Sequence, residues 1–356
     1  MLQATKTFLP PIEEYNNILK RIWDNGWITN RGELVVELEN KLKNFLQLDN
    51  ILITNNGTFP LQVAIKLFGK NTEIITTPYS YVASTSSIVW ENCTPVFVDI
   101  DPEHLTIDET KIESCITNKT SAILATHLYG NVCNIEAIER IAKKHSLKVI
   151  YDAAHCFGVK YKGNSIFNYG DISTCSFHAT KIFHTGEGGA IICNDKELID
   201  QVYYSHNFGH NGLYDFHGLG INGKISELQA AMGLAVFNHI NTIFTERKKV
   251  VEFYNNHLDF SKVKTIKYRE GLEQNYSYYP VIFASENDLL KTEKKLNEVE
   301  IFTRRNFFPS LNKLNYVSQI EMPIAEDVSR RTTCIPLSVG IEEAQLDLIC
   351  KIINSL

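Results

Sequence analysis

Between residues 50 and 195 the chain alternates short apolar runs with amphipathic stretches. The runs at 51–54, 73–76, 95–98, 122–126, 148–151, 173–177 and 190–193 are predicted to be strands, being short, apolar and rich in β-branched side chains. The stretches 60–67, 83–90, 108–115 and 135–145 place apolar residues at helical spacing, and Asp108 is the expected N-cap of the third. Strands alternating with helices predict a mostly parallel sheet covered on both faces. The last two strands have no helix between them, so that part of the sheet is expected to depart from the parallel pattern.

Beyond residue 193 the pattern turns helical, with helices predicted at 196–204 and 224–237. A long amphipathic segment, 239–258, comes next and reads as a link between two bodies. After about 260 come short strands (262–267, 276–283, 301–304) and helices at 287–298 and 342–354. The expected organisation is therefore a large seven-stranded α/β domain over residues 1–245, N-terminal segment included, and a smaller α+β domain over 246–356. No internal repeat or low-complexity tract is visible.

The chain has 356 residues, 44% of them hydrophobic and 21% charged, which is a globular composition. The 35 Lys and Arg against 41 Asp and Glu give a formal charge of −6, which disfavours a nucleic-acid partner held by phosphate neutralisation. An anion can still be bound locally by backbone N–H groups and a few placed cations. The 8 cysteines are scattered singly, with no CxxC and no nearby His cluster, so they read as reduced core thiols of a cytoplasmic protein and no metal site is expected. The N-terminus lacks the pattern of a signal peptide, and no apolar run approaches the roughly 18 residues of a membrane span.

In a parallel sheet, ligands bind beyond the carboxyl ends of the strands, so the residues after each strand are the candidates. After 51–54 comes Asn55-Asn56-Gly57-Thr58 and then a helix with Pro60 in its first turn. Gly57 permits a tight turn and close approach of a phosphate, the helix start offers unpaired N–H groups, and Thr58 adds a hydroxyl. Read alone, it is equally an ordinary strand–turn–helix with Thr58 as N-cap. It is neither a Walker A loop nor GxGxxG, which weakens ATPase and nicotinamide-dehydrogenase readings. After 148–151 comes Asp152-Ala153-Ala154-His155, which aims a carboxylate and an imidazole at the crevice. Their ordinary alternatives are a turn cap and a packed histidine.

The densest stretch is 176–189: Ser176, Phe177, His178, Ala179, Thr180, Lys181, then His184 and Gly186-Glu187-Gly188-Gly189. A lysine between two apolar strands, beside hydroxyls and glycines, is placed to become a nucleophilic amine. A phosphate cradle, a carboxylate and such a lysine together are the set that pyridoxal 5′-phosphate requires.

The carrying motifs are Asn56-Gly57-Thr58, Pro78-Tyr79-Ser80-Tyr81-Val82-Ala83-Ser84, Asp152-Ala153-Ala154-His155, Ser176–Lys181 with Gly186–Gly189, Gly220–Lys224 leading into Glu227-Leu228-Gln229-Ala230-Ala231, and Thr303–Pro309. With these the chain resembles the DegT/DnrJ/EryC1/StrS family of sugar-nucleotide aminotransferases, over nearly its whole length. The resemblance implies a fold-type I pyridoxal-phosphate fold, with Lys181 as the Schiff-base lysine and acid/base, and Asp152 on the pyridine nitrogen. It further implies Gly57, Thr58 and Ser176 on the phosphate, Tyr81 and His155 on the two faces of the ring, and Asn222 reaching the cofactor of a partner copy in a homodimer. Asn222 reads otherwise as a cap of the next helix. Arg304, Arg305, His184 and Glu187, with Lys160 and Lys162, are further candidates for contacts to substrate. The family often reads Arg-Met where this chain has Gly223-Lys224.

By the same resemblance the donor is L-glutamate and the acceptor a dTDP-linked keto-6-deoxy sugar. The block Ser176–Lys181 looks more like the branch that aminates carbon 4 of dTDP-4-keto-6-deoxy-D-glucose, giving dTDP-4-amino-4,6-dideoxyglucose for O-antigen or other polysaccharide. A carbon-3 transaminase is the alternative substrate reading, and a non-catalytic cofactor-binding regulator is the alternative of another class. Relatives that carry His in place of the lysine are dehydratases, a reading that Lys181 disfavours.

Overall fold

The computed structural model describes residues 1–69 and 71–356. Its centre is a seven-stranded sheet of β1 (Leu52–Thr54), β2 (Glu73–Thr76), β3 (Thr94–Phe97), β4 (Thr120–Thr126), β5 (Lys148–Asp152), β6 (Ile172–Ser176) and β7 (Gly189–Ile192), in the spatial order β1-β7-β6-β5-β4-β2-β3. All pairings are parallel except those of β7, which runs antiparallel to both β1 and β6. This is the departure expected where no helix separates the last two strands. Because β7 opposes both neighbours, β1 points the same way as β6, β5 and β4. The carboxyl ends of β1, β5 and β6 and the start of β7 therefore share one edge. Gly189 pairs with Thr54 on one side and Ser176 on the other.

Helices cover both faces, so the inner strands are buried along almost their whole length, although β6 carries Ser173, Thr174 and Ser176. One layer of core gathers Ile53, Ile75, Ile123, Val149, Tyr151 and Cys175 with the helices Glu33–Leu46, Ile135–His145 and Glu227–Phe237. The other gathers Leu52, Ile74, Leu124, Ile150 and Ile191 with the helix Thr58–Phe68. Seven of the eight cysteines are buried and all are unpaired, and burial pushes the Cys133 and Cys175 thiols up to about 12.

Several elements lie outside the predicted set. Helices Ile12–Asn25 and Glu33–Leu46 precede the first sheet strand, and Pro323–Arg331 and the strand Thr332–Ile335 lie near the end. Glu33–Leu46 is anchored by the fully buried carboxylate of Glu227, which accepts from the backbone N–H of Leu34 (2.7 Å) and Val35 (3.2 Å) at its unpaired start. The segment expected to be helical at 108–115 is one short turn, Glu109–Ile112, running into a 3₁₀ turn, with Asp108 capping it as expected.

The long helix is Ile240–His257. Ile240 and Ile243 belong to the core of the large sheet, whereas Val250, Val251 and Tyr254 belong to a separate C-terminal cluster with Val281, Phe283, Leu289, Leu296 and Ile349. That cluster is built on the strands Val263–Lys264, Tyr279–Phe283 and Thr332–Ile335. Leu2 joins it as well, because Leu2–Gln3 pairs in parallel with Ile301–Phe302. The first residues thus pack with the C-terminal body and not with the sheet domain to which 1–245 would assign them.

Candidate active site

The shared strand edge opens into a cavity of about 310 Å³. Gly57, Thr58, Tyr81, Asp152, His155, Ser176, Lys181, Glu187 and Arg304 all line it. Asp152 is the last residue of β5 and is buried. Its Oδ2 accepts from Ser84 Oγ at 2.6 Å and its Oδ1 from the Ala154 N–H at 3.1 Å. Ser84 Oγ lies 2.7 Å from Ser80 Oγ, which accepts from Thr126 Oγ1 at 3.1 Å. A file of three hydroxyls thus fixes the carboxylate, and Ser80 and Thr126 line the cavity together with it.

Three residues on, His155 is buried and its Nδ1 accepts from the Tyr129 N–H at 3.1 Å. Burial, and secondarily the cations of Lys181 and Arg304, hold its pKa well below the usual imidazole value. The ring is therefore neutral, with its proton on Nε2. It lies parallel to Phe307, centroids 5.9 Å apart, and 4.6 Å from the Tyr278 ring.

The hairpin from β6 to β7 carries the lysine across the edge. Phe177 N–H donates to Gly188 O, Ala179 N–H to Gly186 O and Thr185 N–H to Phe177 O, closing the loop on itself. Gly186 sits at φ +81°, where a side chain would be strained. Lys181 Nζ donates to the Tyr278 hydroxyl at 3.3 Å and stands over that ring, 5.6 Å from its centroid. Glu187 faces solvent at the rim, with Oε1 3.6 Å from His178 Nε2.

The turn after β1 is shaped for a close approach. A Cβ on Gly57 would lie 2.7 Å from Ser176 Cβ, so only glycine lets the two strand ends meet there. The helix is not capped by Thr58. Asn56 Oδ1 accepts from the N–H groups of Thr58 and Phe59, both at 2.9 Å, which holds the turn while Thr58 lines the cavity. Gly57, Thr58 and Ser176 form one concave corner, Asp152 and Lys181 another.

Other candidates lie elsewhere. His184 is buried outside the cavity, where Nε2 meets the Phe8 carbonyl at 2.7 Å and Nδ1 accepts from the Gly186 N–H. It tethers the N-terminal segment to the lysine loop. Arg305 points away from Arg304. Its guanidinium is spent on Glu286 (2.7 Å), the Arg330 carbonyl (2.6 Å) and the Phe308 ring (3.8 Å). Lys162 pairs with Glu136, and Lys160 lies on a short strand paired with Leu272–Glu273, neither lining the cavity. Arg304 does line it, and among the described residues it has no carboxylate partner within ion-pair distance. Asn222 is exposed and outside the cavity of its own chain. The cap of the helix after it is Ser226, in a reciprocal box with Gln229. Glycine at 223 has a steric cause: a Cβ there would lie 2.2 Å from the Phe59 ring. The motifs did not mark Asn56 as the helix cap or Ser84 as the partner of Asp152, nor did they mark Tyr278, Asn306 and Phe307 as lining the cavity.

A buried carboxylate at the end of a parallel strand, a lysine on the next hairpin and a glycine-lined corner between them define a pyridoxal-phosphate enzyme of fold type I. The chain belongs to the DegT/DnrJ/EryC1/StrS aminotransferase family, whose model matches residues 11–354. It is 39% identical to a dTDP-4-amino-4,6-dideoxy-D-glucose transaminase of Shigella dysenteriae, across 99% of this chain and 98% of that one. It is 32% identical to a GDP-perosamine synthase of Escherichia coli O157:H7, across 93% and 92%. The structure of DesI in the presence of its TDP-sugar product superposes with a TM-score of 0.93 at 27% identity, covering 99% of this chain and 92% of that one. The protein is a sugar-nucleotide aminotransferase and its cofactor is pyridoxal 5′-phosphate. The site fits that group. Its concave corner would be filled by any side chain at 57, and its carboxylate and amine face the same cavity. No helix among the described residues is long and apolar enough to cross a membrane.

Proposed function

We propose that this aminotransferase moves the amino group of L-glutamate to carbon 4 of dTDP-4-keto-6-deoxy-D-glucose, yielding dTDP-4-amino-4,6-dideoxyglucose in the cytoplasm for O-antigen or related polysaccharide. The observation that carries the chemistry is Lys181 and Asp152 facing one cavity beside the corner of Gly57 and Ser176. The full-length likeness to a dTDP-sugar transaminase, closer than that to a GDP-sugar enzyme, supports the substrate.

Bound there, pyridoxal 5′-phosphate supplies an aldehyde that takes up the amino group and a ring that withdraws electrons from the reacting carbon. The residues do the rest. Gly57, Thr58 and Ser176 hold the phosphate through N–H and hydroxyl donors. Asp152, fixed by Ser84, keeps a proton on the pyridine nitrogen. The neutral His155 ring packs on one face without adding charge, and Tyr81 closes the other. Lys181 Nζ takes the proton from the donor's α-carbon and returns one to the acceptor carbon. Arg304 meets the sugar-nucleotide diphosphate, with Glu187 at the rim.

Asn222 completes the site of a partner copy in a homodimer. It sits on a segment that projects Leu213, Tyr214, Phe216, Leu219 and Ile221 into solvent, an apolar surface that a second chain would cover.

The test is product identification by mass spectrometry and NMR after incubation with L-glutamate and a panel of dTDP- and GDP-linked 3-keto and 4-keto sugars. A 4-amino product from the dTDP-4-keto sugar is expected. A 3-amino product, or turnover of GDP-sugars alone, overturns the substrate assignment.

A further inference from the structure

The hydroxyl that meets Lys181 comes from a tyrosine far along the chain, and its surroundings hold it unusually firmly. Tyr278 is buried, and Lys181 Nζ is the one group among the described residues to hydrogen-bond its hydroxyl. Its ring rests against His155 (4.6 Å) and edge-on to Tyr129 (5.9 Å). The two residues before it are clamped from two directions. From the long helix, the buried Arg247 donates to the carbonyls of Tyr276 (2.8 Å), Ser277 (2.5 Å) and Leu337 (2.7 Å). From below, Asn275 Nδ2 donates to the carbonyls of His155 (2.8 Å) and Phe157 (2.9 Å), while its Oδ1 accepts from the Ser277 N–H (3.2 Å). A lysine amine on four rotatable bonds is a poor proton carrier unless something limits where it points.

We propose that Tyr278 is a positioning residue for Lys181, its hydroxyl accepting from Nζ and so aiming the amine's remaining bonds into the cavity between Asp152 and Arg304. This rests on the aminotransferase reading of Lys181. The ionisable groups that line the cavity with the pair are Asp152 and His155 from β5 and its adjoining turn, His178 and Glu187 from the lysine loop, Tyr81, and Arg304 from the C-terminal body. Tyr278 adds a hydroxyl acceptor to that set.

The test compares wild-type protein with Tyr278→Phe, which keeps the ring and its packing. One measurement is the rate at which added pyridoxal 5′-phosphate becomes attached to Lys181, read by visible absorbance and by peptide mass after borohydride reduction. The other is steady-state turnover. Slower attachment and a roughly 10-fold lower kcat, with KM for the sugar nucleotide within about 2-fold and an unchanged melting temperature, are expected. Equal attachment rates and equal kcat in the two proteins overturn the proposal. So does an effect confined to KM, which would make Tyr278 a substrate contact. Failure of the wild type itself to attach the cofactor at Lys181 overturns the aminotransferase site as well, a result distinct from equality of the two proteins.

Discussion

The two walls of the cavity are built differently. One is the edge of the large sheet, where Asp152 ends β5, Ser176 ends β6 and Lys181 comes next on a short hairpin. Asp152 and Ser176 are aimed by regular strand pairing, and Lys181 by a loop closed through the backbone bonds of Phe177, Ala179 and Thr185. The other wall comes from the C-terminal body and presents Tyr278, Arg304, Asn306 and Phe307 from stretches with little regular structure. That wall is held by side chains gripping backbone carbonyls: Arg247 on Tyr276 and Ser277, and the hydroxyls of Tyr79 and Tyr129 on Asn306. The comparison separates two tasks. In the proposed reaction the proton-handling groups Lys181 and Asp152 sit on the sheet wall, whereas the proposed diphosphate contact, Arg304, sits on the other, whose segments are held by single hydrogen bonds and from which Tyr278 reaches back to Lys181.

If that division holds, substitutions on the two walls will fail in different ways. The largest effect is expected from Lys181→Ala, which removes the proposed proton carrier. The rate of amino transfer should fall by about 10⁴-fold or more, and the visible band of the bound cofactor should no longer be fixed by borohydride. Arg304→Ala, on the opposite wall, should raise KM for the sugar nucleotide by roughly 10-fold and leave the half-reaction with L-glutamate within about 2-fold, read by stopped-flow absorbance. An equal loss in both half-reactions would blur the division.

A smaller effect tests the sheet side without touching the cavity's chemistry. His127 stacks on Tyr151 at 4.4 Å, and burial lowers its pKa to about 3; His206 is lowered to about 4, again chiefly by burial. Both stay neutral in the folded protein while the unfolded chain takes up protons below about pH 6.5. Their contribution is complete above that pH and is lost as pH falls toward 4, at about 1.4 kcal/mol per pH unit for each histidine. Urea unfolding between pH 7.5 and 5 should show the slope, and His206→Asn should flatten it.

Lys181 and Asp152 were legible because a single rule, that ligands gather beyond the carboxyl ends of parallel strands, reads directly from apolar runs and the residues just past them. Tyr278 was not, since its contact spans 97 residues and nothing local marks it. Arg304 and Arg305 show the limit at its sharpest. Neighbours on an extended segment point to opposite sides, so one faces the cavity and the other an internal carboxylate, and composition alone does not distinguish them. His184 misled because it lies in the richest motif but faces outward from the loop, onto Phe8. The first two helices stand outside the strand–helix alternation that marks the sheet. The anchor of the second, Glu227, is some 190 residues away, so no local pattern announces it.

The helix Ile240–His257 belongs to two cores at once, and the first residues of the chain pair beside Ile301–Phe302. Recombination between such enzymes has to respect both facts. A chimera cut at residue 245 would sever Ile243 from Val250 within one helix and leave Leu2 on the wrong parent. The C-terminal body is a unit in space but not in sequence, so its exchangeable version is a helix-long joint plus both ends of the chain. Swapping substrate preference by exchanging contiguous C-terminal halves would therefore carry a folding defect along with the new cavity wall.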